Sequence, residues 1–99
     1  MVYATRIRMK PSYSSASVYY SLENLLLEID EIYLTGVTRE GWYKKAQVHD
    51  LINEGHVVSV NIPPYPKLIA LVSTRTHEKY VRSISNDSTK DNLLSLPRG

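Results

Sequence analysis

The chain has 99 residues, 42% of them hydrophobic and 22% charged, which is the size of one domain and the composition of a globular rather than a disordered one. Twelve Lys and Arg against ten Asp and Glu leave a formal charge of +2, far below the basic excess of a general nucleic-acid binder. With no cysteine, disulfides, thiolate metal centres and thiol catalysis are excluded together.

Val2 to Lys10 alternates, and the period predicts a half-buried strand with Tyr3, Thr5, Ile7 and Met9 on an apolar side and Ala4, Arg6, Arg8 and Lys10 on a basic one. Residues 11–21 are rich in Ser and Tyr, whose hydroxyls compete for backbone hydrogen bonds, and read as a loop. Leu22 to Leu34 is ambiguous. Residues 22–27 fit either a short helix or an extended lead-in, followed by a strand from about Leu27 to Thr35, and Glu23, Glu28, Asp30 and Glu31 make the whole segment an acidic patch.

A helix is predicted over Trp42 to Glu54, with Val48, Leu51 and Ile52 as its buried stripe and Gly55 as its stop. Two lysines in its first turn oppose the helix dipole, so tertiary packing has to hold it. His56 to Ile62, Leu68 to Thr74 and Lys79 to Ser85 read as three strands of an antiparallel meander, with Pro63-Pro64-Tyr65-Pro66 as a rigid connector. Residues 86–99 form a tail folded back on the sheet. The expected architecture is one α+β domain over residues 1–99, an antiparallel sheet of about four to five strands with one helix packed on it.

Near the C-terminus, Tyr80-Val81-Arg82-Ser83, a polar turn, Asp91-Asn92-Leu93 and Leu96-Pro97 follow one another. That order resembles the signature of the short prokaryotic and phage proteins classed as domain-of-unknown-function family 3892, a Tyr-aliphatic-Arg-Thr strand with an Asp-Asn-Leu and a Leu-Pro near the end. Ser83 stands where Thr is commoner, and the Ser/Tyr-rich stretch is longer than the usual link. The resemblance, from about Ile29 to Pro97, implies a fold and no assigned activity.

Tyr80 and Arg82 share one strand face, where a returning tail could set Asp91 against the guanidinium and tie Asn92 to backbone. Two readings stay open: a clamp that holds the tail, or a pocket for a phosphate or small polar ligand. The histidines His49, His56 and His77 have no metal-ligand spacing, and no nucleophile elbow or phosphate loop occurs, so neither a metal, a cofactor nor an enzyme activity is expected. Eight Tyr, one Trp and no Phe leave tyrosines for the surface, and Tyr13, Tyr19 and Tyr20 cluster in the 11–21 loop.

The favoured expectation is a cytoplasmic, non-enzymatic protein-binding or self-associating module without a membrane segment, from a phage or mobile element and directed at a host protein. A small-ligand or nucleotide binder using Arg82 and Asn92 comes second. A single-stranded nucleic-acid binder using Arg6, Arg8 and Lys10 comes third.

Overall fold

The first strand, β1 (Val2–Met9), opens the computed structural model, which describes residues 1–11, 22–84 and 91–99. Its buried residues are Ala4 and Ile7, three apart, a spacing that plain alternation forbids. The register against β2 (Ile29–Thr35) supplies the cause. Ala4 lies opposite Leu34 and Arg6 opposite Tyr33, so Thr5 is the extra residue of a β-bulge. On β2 the same happens at Asp30, between Arg8 opposite Glu31 and Met9 opposite Ile29. Each bulge rotates its strand by one side-chain step, so that Ala4, Ile7, Ile29 and Ile32 all enter the core. The expected basic side of β1 is corrected accordingly: Ala4 is internal, while Arg6 and Arg8 stay outward.

Residues 22–27 are helical, α1 (Leu22–Leu27). The predicted long helix is shorter at its start than expected. Gly41–Lys44 is a strand, β3, antiparallel to β2, with Trp42 opposite Tyr33 and Lys44 opposite Glu31. Extended backbone there satisfies a ladder that a helical turn would forfeit, and the Tyr33 and Trp42 rings meet edge to face at 5.3 Å. The helix proper, α2 (Lys45–Asn53), is capped at its start by the Gln47 side-chain oxygen accepting the Lys44 N–H at 2.8 Å. It ends in a Schellman motif: Gly55 at φ 103° donates to Ile52 O at 3.0 Å and His56 donates to Leu51 O at 3.1 Å.

The strand after Gly55 is only β4 (Val58–Val60), and it runs parallel to β1, Val2 opposite Val58 and Ala4 opposite Val60. The expected α+β domain with a four-stranded sheet and one main helix is what the chain forms, but the three-strand meander is not: β4 is parallel to β1, and the last two strands make a second sheet. The first has the order β3-β2-β1-β4; the other is the hairpin β5 (Leu68–Val72) and β6 (Lys79–Ser83). Pro63, Pro64 and Pro66 offer no N–H to a ladder, so the chain leaves the first sheet there, and a lone Ser59–Lys67 bridge joins β4 to the start of the hairpin.

Both sheets, α1 and α2 share one apolar core, in which Ile7, Ile32, Leu34, Val48, Val60 and Val81 are fully or almost fully buried. The tail re-enters it. A 3-10 turn (Asn92–Ser95) buries Leu93, and Pro97 to Gly99 lies along β1, where Ile7 N donates to Pro97 O and Gly99 N to Ile7 O, both at 3.0 Å. The side of the four-stranded sheet away from this core presents Arg6, Arg8 and Lys44 to solvent.

Candidate functional site

Of the C-terminal set, Asp91 is the centre. Its carboxylate is fully buried and accepts from the Ser83 N–H at 3.0 Å, the Ser83 hydroxyl at 2.7 Å and the Leu93 N–H at 2.9 Å. It thus caps the 3-10 turn and fastens it to the last residue of β6. Arg82 stands at 4.0 Å from Asp91 through Nε, at the limit of an ion pair and partly exposed. The expected Arg82–Asp91 pair is therefore the minor contact, and the residue sequence reasoning passed over is Ser83, whose hydroxyl is the donor. Tyr80 is buried, which raises its phenol pKa, with the Glu23 charge adding to the rise and Arg82 opposing it. Asn92 opens the turn, half-buried. Tyr13, Tyr19 and Tyr20 lie outside the described residues.

Arg6 and Arg8 belong to a different place, the outer face of the four-stranded sheet. The register arranges that face in rows across the strands. One row is Lys44, Glu31, Arg8; the next is Trp42, Tyr33, Arg6. Arg8 meets Glu31 at 3.4 Å and lies over the Trp42 ring, 4.0 Å from its centre, a cation–π contact that crosses β2. Lys44 turns to Asp30 at 3.3 Å. Tyr3, further along β1, meets the exposed Tyr65 ring edge to face at 6.0 Å. The sequence placed Trp42 at the first position of the predicted helix; on β3 it stands beside the two arginines, and only the strand register could have placed it there.

Lys10 departs from this face. Its ammonium reaches Glu78 Oε2 at 3.0 Å, and the same oxygen receives Lys45 at 3.1 Å. Lys45 is the first residue of α2, is buried, and also donates to Leu27 O, the last carbonyl of α1, at 3.0 Å. Burial lowers the Lys45 pKa. The two ammoniums, Lys10 first, hold the Glu78 carboxyl below the usual carboxylate range against a smaller opposing effect of burial. Lys45 and Glu78, with Asp30, Lys44 and Lys79, line an open cleft of about 320 Å³. Every lysine there already has a carboxylate partner, so the arrangement reads as a structural ion cluster. The three histidines stay apart: His49 is buried in α2 beside Asp50, His56 follows the helix stop, and His77 sits at φ 62° in the β5–β6 turn.

No curated protein and no solved structure matches the chain. A family model described as a protein of unknown function (DUF3892) matches residues 28–97, from the bulged strand β2 to the Leu96-Pro97 of the fastened tail. The match takes in α2, both hairpin strands and the Ser83–Asp91 fastening, and covers well over half of the chain. By that match the chain belongs to the family of proteins of unknown function DUF3892.

Proposed function

We propose that the chain is a small non-enzymatic protein-binding module whose contact surface is the outer face of the four-stranded sheet. One observation carries the reading: Arg6, Arg8, Tyr33 and Trp42 occupy neighbouring positions on the side of the sheet away from the core, with Arg8 stacked on Trp42. Trp, Tyr and Arg are the residue types that concentrate binding energy at interfaces. A domain of this build acts by occupying a partner's surface, the mode suited to an accessory protein that modulates another. The small-ligand reading through Arg82 and Asn92 is weaker, because Arg82 stands beside the buried Asp91 carboxylate at 4.0 Å and Asn92 opens the turn that this carboxylate caps.

The test is capture of binding proteins by the wild-type chain and by an Arg6→Glu/Trp42→Ser variant whose circular dichroism matches wild type. A partner retained by the first and lost by the second supports the reading. A partner held equally by both overturns it.

A second reading, single-stranded nucleic acid on the same face, draws on the Arg8–Trp42 stack, since cationic and aromatic groups together form base-stacking platforms. It loses Lys10, which is committed to Glu78.

A further inference from the structure

We propose that the outer sheet face receives an acidic segment of the partner protein, with Arg6 as the receptor for a carboxylate and the Tyr33 and Trp42 rings as the apolar shelf beside it. The inference rests on the protein-binding reading above and names the chemistry of the partner.

It follows from the way charge is distributed over neighbouring rows of one face. In the row Lys44, Glu31, Arg8 the charges alternate, and Arg8 is neutralised by Glu31 at 3.4 Å while stacking on Trp42. Lys44 is neutralised by Asp30. In the adjacent row, Trp42, Tyr33, Arg6, two aromatics and a cation stand together with no Asp or Glu side chain, and Gly99 packs against the edge of the Trp42 ring. Arg6 is exposed and has no ion pair, hydrogen bond or ring contact among the described residues. It presents five N–H donors in a planar fork that fits a carboxylate in two-point contact.

The Glu31 carboxylate on Arg8 shows what the face already accepts one row away; a partner's Asp or Glu would do the same for Arg6. Its neighbouring apolar atoms would then cover the half-buried Tyr33 and Trp42 rings. A polyphosphate strand suits the face less well. It would pass over Glu31, and it would find two arginines without Lys10, on a chain whose formal charge is only +2.

Trp42 is the sole tryptophan and lies on the face itself, so its emission reports occupancy directly. The experiment titrates the full chain at low salt with poly-L-glutamate, with oligothymidylate and with a neutral Gly-Ser peptide, followed by Trp42 emission and by calorimetry. Poly-L-glutamate should perturb the emission and bind, weaken as sodium chloride is raised, and bind Arg6→Ala about three- to fivefold more weakly, the scale of an exposed ion pair. The variant should keep the wild-type melting temperature, since Arg6 is exposed. Equal binding by Arg6→Ala, or no heat and no emission change with poly-L-glutamate, overturns the proposal. Binding of oligothymidylate alone overturns it too and assigns the face to single strands. If the proposal fails while capture of a partner still depends on Trp42, the protein-binding reading stands and only its acidic chemistry is lost; if both fail, the face is not the contact surface.

Discussion

Asp91 is a buried charge met almost entirely by hydrogen-bond donors, two of them backbone N–H groups that no other acceptor serves when the carboxylate is removed. Leaving such donors unpaired in a buried site costs far more than losing an exposed ion pair. Asp91→Ala is therefore expected to lose about 3 kcal/mol of stability in urea titration. Arg82→Ala should lose less than about 1 kcal/mol, its contact being long and partly exposed. An Arg82→Ala loss as large as that of Asp91→Ala would reverse this assignment. Sequence spacing was sufficient to bring Asp91 to β6. It selected Arg82 as the partner because opposite charges suggest a pair, whereas side-chain to backbone bonds leave no mark in residue spacing.

Glu78 is the second residue with a defined energetic role. Because Lys10 and Lys45 hold its folded-state pKa below the ordinary 4.5, its charge contributes stability that is complete above that value and is lost as the pH falls through the lower folded value. Wild-type stability should thus decline on acidification below about pH 4.5. Glu78→Gln should lower the urea midpoint at pH 7, where Lys45 is left buried without its carboxylate, and should flatten the acid decline. Identical slopes for the two proteins between pH 7 and pH 3 would exclude Glu78 as the group responsible.

Among elements, α2 resolves the oddity of lysines at a helix start. Lys45 opposes the dipole of its own helix but donates to the last carbonyl of α1 and to Glu78, so its charge serves the C-terminal end of another element. That partner is remote in sequence, and local capping rules could not supply it. The stop at Gly55 was legible, because a Schellman motif is purely local. The turn after β2 is equally constrained. Gly36 adopts φ 82°, and an added Cβ would run into the Met1 carbonyl, so Gly36→Ala should cost more than about 1 kcal/mol, read as a lower melting temperature. An unchanged melting temperature would mean that this close approach of chain start and turn is dispensable.

Across the molecule, the two sheets do not form one continuous ladder; the shared core and the tail unite them. Leu93 is fully buried in that core, on a turn fastened to β6 through Asp91 and followed by residues laid along β1. Leu93→Ala should cost about 3 kcal/mol and speed amide exchange in both sheets together. Faster exchange confined to the hairpin would show that the sheets open separately.

Much of the fold was readable in the chain itself: a basic first strand, the α2 stripe and its glycine stop, an apolar hairpin, and a tail with an acid placed to return to β6. These are local properties, since periodicity, capping and turn chemistry act within a few residues. Tertiary structure alone decided the rest. Pairing β4 parallel to β1, the bulges at Thr5 and Asp30 that bring Ala4 and Ile29 inward, and the strand at Trp42 all depend on which strands became neighbours and in what register. The outer face follows from the same choice. Arg6 and Arg8 were visible as a basic stripe, but Lys10 left it for Glu78 and Trp42 joined it, because contacts between residues far apart in sequence set their energies only after the chain has folded.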